Sequence, residues 1–180
     1  MTDGAGTTAD LRDERAAAPS WLSARFALET AAIATLYAVF GYVGQLIAVP
    51  PGNVTIVWPP SGIVLASVLL IGMRAVPGIV IGAVIVNGWT LLGGADADVI
   101  RRFAFTAGAI GVGSALQAVV GAKLIQRFIG HDDVFDSLRD ALRFFAIAPA
   151  MCLVSASFGA PSLAAGGDLD WSAVAPTWGT

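Results

Sequence analysis

The sequence predicts an all-α protein, a multi-pass integral membrane helical bundle. Three observations predict it. Hydrophobic residues make up 56% of the 180 residues and charged residues only 13%. Soluble domains carry about 25% charge, so this chain has too few polar side chains to cover a water-facing surface. Second, the apolar residues gather in runs of the length a helix needs to cross a bilayer, about 20 residues. Third, Lys and Arg fall unevenly among the segments between those runs, as they do around membrane-crossing helices.

The elements follow in order. Residues 1–20, MTDGAGTTADLRDERAAAPS, mix charge of both signs with small polar residues. That composition cannot bury enough apolar surface to fold and reads as a disordered tail. Residues 21–180 read as one membrane domain. The first span covers about Phe26 to Val49. Its apolar run is span-length and follows an acidic tail, which reads as a retained span, since a cleaved signal has a short apolar run behind basic residues. The second run extends from about Val54 to Met73, the third from Ala75 to Leu92, the fourth from Phe103 to Ile125 and the fifth from Ala141 to Leu163. A sixth starts near Trp171. The expectation is therefore five complete spans and the beginning of another, in a chain that reads as part of a longer protein.

With the N-terminus in the cytoplasm, the inner segments hold Arg12, Arg15, Arg25, Arg74, Lys123, Arg127, Arg139 and Arg143, and the outer segments hold Arg101 and Arg102. The opposite topology would invert that bias. The expected location is the bacterial inner membrane.

Between the first two spans lies PPGNVTIVWPPSG, Pro50 to Gly62. Proline lacks an N–H and clashes with the preceding helical turn, and it pushes the residue before it toward extended geometry. The first span should therefore end at Pro50, and Val57–Trp58 should be extended. Helix should restart at Pro60 or Ser61, where proline suits a first turn. Ser61 to Met73 is about 20 Å of helix at 1.5 Å per residue, short of a hydrocarbon core of about 30 Å. Asn53 to Trp58 is then expected to dip into the membrane as non-helical backbone lining protein or a wet cavity. Free N–H groups near Ser61 would favour an anion or a carbonyl oxygen there. A rigid outer turn with Trp58 as an interfacial anchor fits the same residues. Asn53, Trp58, Pro59, Pro60 and Ser61 are the candidate signal-sensing residues of this segment.

Few other polar groups occupy the spans. Glu29, near the inner end of the first, is a site candidate as an ionisable group in a membrane segment, and equally a partner for Arg25 one turn earlier. Asn87 and Gln117, with Gln45, need hydrogen-bond partners wherever they are buried. They read either as interhelical glue or as ligand contacts. Ala109, Gly113, Gln117 and Gly121 recur every four residues; Gly78 and Gly82 form a GxxxG pair; Ala148, Cys152, Ala156 and Ala160 repeat the pattern. These stripes read as packing seams, and the GxxxG face would also serve a homodimer. Pro149 and Pro161 should bend or end the fifth span. HDDVFDSLRDALRF, starting at His131, places Val134, Leu138, Ala141 and Phe145 on one helical face. It reads as a surface helix, or a soluble extension of the fifth span, capped by Asp132 or Asp133.

Chemistry is not evident. The single histidine, His131, sits beside two aspartates, and no Cys–His set has zinc spacing. Asp96 with Asp98, and Asp168 with Asp170, supply too few ligands for calcium. No glycine-rich phosphate loop is present, and no basic stripe with interleaved aromatics suggests nucleic acid. Cys152 is the only cysteine, which excludes an internal disulfide and reads as a small buried hydrophobe. No catalytic residue, metal or cofactor is expected. The expected partners are the lipid bilayer and an unidentified small-molecule or protein signal.

The run PPGNVTIVWPPSGIVLASVLLIGMRAVPGIVIGAVIVN, Pro50 to Asn87, resembles the first of the MASE families, membrane-associated sensor domains of bacteria. The resemblance rests on the paired prolines, the Gly-Asn, the Trp-Pro-Pro-x-Gly, and the Pro-Gly-Ile with a following Asn. SALQAVVGAKLIQRF, Ser114 to Phe128, and the terminal DWSAVAPTWGT support it, and the similarity covers about Ala31 to Thr180. The family tends to carry a more polar pair where this chain reads Gly113-Ser114. The resemblance implies a bundle of about eight spans, of which this chain holds the first two thirds, placed as the input of a histidine kinase or a cyclic-di-GMP enzyme. Two other functions fit the residues: a small-solute transport or channel module, suggested by the broken second span and Gln117, and a structural anchor that dimerises an output domain.

Overall fold

A computed structural model describes residues 24–47, 58–88, 96–130, 137–167 and 169–178. Helix α1 spans Ala24–Leu46, α2 Pro59–Ile71, α3 Val76–Gly88, α4 Ala97–Phe128 and α5 Leu138–Gly166. A 3-10 turn, Gly72–Ala75, joins α2 to α3, and another, Trp171–Ala173, precedes a short helix α6, Val174–Trp178. No strand occurs among the described residues.

Four continuous helical stretches are long and apolar enough to cross a membrane: Ala24–Leu46, Pro59–Gly88, Val99–Phe128 and Leu138–Gly166. The sequence expectation was five. The difference arises at Gly72–Ala75, where a 3-10 turn joins the second and third apolar runs into one stretch of 30 residues. That join is not straight. Gly72 takes φ 65° and ψ −145°, a backbone state open to glycine and costly for other residues.

Contacts along α1 give the direction of each arm. A Cβ on Gly44 would lie 3.0 Å from the Trp58 ring, and Arg74 Nη2 lies 3.1 Å from Glu29 Oε2, so α2 runs antiparallel to α1. Gly78 abuts Thr30 and Ile33, Gly82 abuts Ala34 and Tyr37, and Gly41 abuts Val86, so α3 runs parallel to α1. The stretch 59–88 therefore folds back on itself at Gly72. Each arm has 13 residues, about 20 Å at 1.5 Å per residue, shorter than the hydrocarbon core.

The two arms scarcely touch each other. Helix α1 packs against both from one side and α4 from the other. Gly88 meets Phe103 and Gly111 meets Val80, so α4 descends antiparallel to α3. Gly113 meets Phe158 and Gly121 meets Met151, so α5 returns antiparallel to α4. This alternation collects Arg25, Arg74, Lys123, Arg127, Arg139 and Arg143 at one end of the bundle and leaves Arg101 and Arg102 at the other.

The core holds Ile33, Tyr37, Val64, Val68, Ile79 and Ile125, with alanines at the close approaches. Lipid offers no hydrophobic drive between helices, so such contacts act through van der Waals fit. The Gly78–Gly82 seam expected from the sequence is the α1–α3 contact: a Cβ on Gly82 would lie 2.6 Å from Tyr37 Cβ and 3.0 Å from the Ala34 carbonyl. Gly113 and Gly121 likewise form the α4 side of the α4–α5 seam. The fifth-span stripe behaves differently. Cys152 is exposed, not buried as expected, and Ile147, Met151 and Ala160 supply the buried side of α5. An apolar helix face toward lipid and one toward protein have the same composition, so spacing alone misplaced Cys152, while Ala160 of the same stripe is buried. Leu28, Leu70, Phe105 and Phe145 are all more than half exposed, the outward apolar girdle that lipid would cover.

Pro149 and Pro161 lie inside α5, which continues past both. The cap of α5 is Ser137, whose hydroxyl accepts from Asp140 N at 3.2 Å; Asp132 and Asp133 lie outside the described residues. Leu138 opens one unbroken 29-residue helix, so 138–145 extend the fifth span directly. Small polar side chains in the helices bond their own backbone: Ser67 Oγ donates to the Ile63 carbonyl at 2.8 Å and Ser157 Oγ to the Leu153 carbonyl at 2.7 Å. Such bonds satisfy a hydroxyl without a partner from another helix.

Candidate functional site

The candidate residues fall at two levels of the bundle. The first level surrounds the start of α2. Trp58 is extended, with φ −108° and ψ 91°, and caps α2, which begins at Pro59. The proline rule thus places the extended residue correctly and the helix start one residue late. Pro60 is buried, and Ser61 N donates to the Trp58 carbonyl at 3.0 Å. Because Pro59 and Pro60 carry no N–H, the first three positions of α2 offer no free donor. The anion-favouring helix start expected from the sequence is therefore absent. Asn53 lies outside the described residues, as does the expected non-helical dip.

Trp58 rests on Gly44 near the end of α1, where any larger residue would displace its ring. Trp58 also packs against the core cluster that holds Tyr37. Tyr37 Oη and Ser114 Oγ lie 3.2 Å apart in the buried interior, a hydrogen bond that either can donate. One chain of contacts thus runs from the first residue before α2, through α1, to the middle of α4. Sequence reasoning missed Tyr37 and Ser114 as a pair. The available signal was a tyrosine inside an apolar run, since a buried Tyr O–H usually finds a partner.

Gln117 is one turn beyond Ser114 on α4 and only 5% exposed. It lies in register between Gly113 and Gly121, on the seam with α5. Asn87 Nδ2 donates to the Ala83 carbonyl of its own helix at 2.7 Å. It sits near the Trp58 level because Val86, its neighbour, abuts Gly41.

Glu29 belongs to the second level, at the fold-back of residues 72–75. Its Oε1 accepts from Arg25 Nε at 2.9 Å, and its Oε2 lies 3.1 Å from Arg74 Nη2. The Arg74 contact is charge pairing without an aligned hydrogen bond, since Oε2 is buried with no hydrogen-bond partner among the described residues. The Arg74 guanidinium also stands over Phe26, 6.0 Å from the ring centroid, within cation–π range. Glu29 thus ties the turn to α1.

These features describe helices joined by polar links at two levels, with no group of three or more metal-ligating side chains among the described residues. The chain matches the MASE1 family over residues 29–179. It belongs to that family. MASE1 domains are membrane-associated sensor domains, so the chain is a sensory membrane module. The match takes in α1 from Glu29 onward and every later element, and with them both polar levels apart from Arg25 and Phe26. Comparison with curated proteins finds no match, and neither does comparison with solved structures.

Proposed function

We propose that this MASE1 chain is the sensory input module of a bacterial signalling protein, seated in the inner membrane with its N-terminus in the cytoplasm. The observation that carries the reading is the Trp58–Tyr37–Ser114 chain of contacts. It joins the loop side of α2, at the end of the bundle opposite the basic cluster, to α1 and to the middle of α4. By the bias of basic residues toward the cytoplasm, that end is extracytoplasmic, and the Glu29–Arg74 end is cytoplasmic. The sensing residues are Asn53, Trp58, Pro59, Pro60 and Ser61. Tyr37, Ser114 and Gln117 relay the change inward, Asn87 borders the same level, and Glu29 holds the far end of the hairpin.

A small molecule or protein that contacts Trp58 better in one arrangement than another shifts the population between them. Movement of Trp58 alters the contacts of α2 with α1 and α4, and α2 leads directly into the turn held by Glu29. A cytoplasmic output domain, a histidine kinase or a cyclic-di-GMP enzyme, reads the shift. The supporting facts are the family membership and the clustering of basic residues at one end.

The test is signalling by the full-length gene product carrying Trp58→Ala, at membrane abundance matched to the parent. The reading expects a response lost or locked at one level. An unchanged response would refute it. Solute flux through reconstituted liposomes, abolished by the same substitution, would instead support a transport module.

A further inference from the structure

Helices α4 and α5 meet along one seam, where Gly113 abuts Phe158 and Gly121 abuts Met151. Nearly equal steps along the two antiparallel helices thus stay in register. Carried toward the basic end, that register sets Arg127 opposite Phe145. Arg143 then lies about 3 Å further along the axis, at 1.5 Å per residue. Lys123 is one turn before Arg127, and Arg139 one turn beyond Arg143.

Helical rotation puts these four side chains on one flank. On α4, Ala118, Ala122 and Ile125 are buried in the core, and Gly113 and Gly121 face α5. Lys123 and Arg127 are exposed on the remaining side, which they share with the exposed Leu116. They stand about a quarter turn from the seam, since each residue advances a helix by about 100°. On α5, Arg139 and Arg143 are exposed about a quarter turn from Met151. Because the helices are antiparallel, both rotations lead to the same flank of the pair, the one turned away from α2 and α3.

Two further observations fix what this flank fits. Along α4, Lys123 lies about 30 Å from Arg102, the thickness of the hydrocarbon core, so the four cations begin at headgroup depth. Among the described residues, Arg143 is paired with Asp140 at 3.1 Å, whereas Lys123, Arg127 and Arg139 form no ion pair.

We propose that this flank binds an anionic phospholipid. Its phosphodiester lies between the Arg127 and Arg143 guanidinium groups, which suit phosphate oxygens, with Lys123 and Arg139 to either side. Its acyl chains cover the apolar side of α4 at Leu116. Basic pockets between membrane helices take headgroups of this kind. A zwitterionic lipid brings its own ammonium and gains less. A soluble phosphate would leave the apolar side uncovered. The site is separate from Trp58 and does not rest on the sensing role given to that residue.

The experiment incubates the detergent-solubilised chain with equal amounts of phosphatidylglycerol and phosphatidylcholine bearing the same acyl chains. Native mass spectrometry then reads the ratio of the two lipids retained. The parent should retain mostly phosphatidylglycerol. Arg127→Gln and Arg143→Gln should each lower the ratio about five-fold, the effect of one basic residue near an anionic lipid surface. Arg127→Lys should keep most of it, and Arg101→Gln, at the other end of α4, should leave it unchanged. Thermal unfolding should be the same for the parent and Arg127→Gln, whose side chain is exposed. Equal retention of both lipids by the parent would overturn the proposal. So would a ratio unmoved by either glutamine substitution, or one lowered as much by Arg101→Gln. Displacement of phosphatidylglycerol by millimolar inorganic phosphate would also overturn it, by marking a site for free anions.

Discussion

Tyr37 of α1 and Ser114 of α4 share a hydrogen bond of 3.2 Å across the buried middle of the bundle. It links two helices that α2 and α3 otherwise hold apart. Tyr37→Phe should lower stability by about 1 kcal/mol, in keeping with interhelical hydrogen bonds in membranes, which average about 0.6 and reach about 1.7 kcal/mol. Ser114→Ala should cost a similar amount, and the double substitution little more than either alone. Thermal unfolding of the four proteins in one detergent measures the coupling, and strict additivity would mean that the bond contributes nothing.

Gly82 sits against Tyr37 so closely that even a methyl group must displace backbone. Gly82→Ala should cost about 1–3 kcal/mol, as overpacking does. Gly62, in α2, is the control: nothing lies within 4 Å of a Cβ built there. Gly62→Ala should be neutral or stabilise by up to about 1 kcal/mol through helix propensity. The pair of measurements separates close packing from a general intolerance of larger residues.

The ion pairs of Glu29 should be unequal. Arg25 has a side chain 80% exposed, while Arg74 is 47% exposed and holds the fold-back. Arg25→Ala should change stability by less than about 0.5 kcal/mol, as exposed pairs do. Arg74→Ala should cost more, because the Phe26 contact goes with it, and salt should weaken the difference only partly. Limited proteolysis near Met73, which is exposed, would report loosening of the turn.

At the start of α5, the hydrogen bond from Ser137 and then the charge of Arg143 hold the Asp140 carboxyl below its usual range. A depressed folded-state value means that its contribution is present above the unfolded carboxylate range, about pH 4. It is lost as pH falls through the lower folded value. Hydrogen exchange in the first turn of α5 should therefore quicken below about pH 4, and Asp140→Asn should make that turn insensitive to pH in the same window. Equal acid sensitivity in both proteins would assign the effect elsewhere.

Much of this was legible from residue order alone, where one residue type forces one geometry. Proline made Trp58 extended, and the GxxxG pair marked the face of α3 that takes another helix. What that face would meet was not legible, because the partner of Gly82 is Tyr37, 45 positions earlier in the sequence, and no local rule links them. The exposed position of Cys152 was hidden for a different reason: protein and lipid accept the same apolar residues. The Ser137 cap was obscured by two aspartates upstream that have equal capping chemistry. At the candidate site, Trp58 and Gln117 stood out by type, whereas Ser114 is an ordinary small residue until its partner is seen.

The central claim is that residues 59–88 form a folded-back pair of arms whose turn faces the cytoplasm and whose Trp58 end faces outward. Labelling by a membrane-impermeant maleimide tests it most directly, on intact cells and a Cys152→Ser background. Met73→Cys should react only after the membrane is permeabilised, while Asp96→Cys and Trp171→Cys should react at once. Reaction of Met73→Cys in intact cells would contradict the orientation, and its failure to react from either side would contradict the fold-back itself.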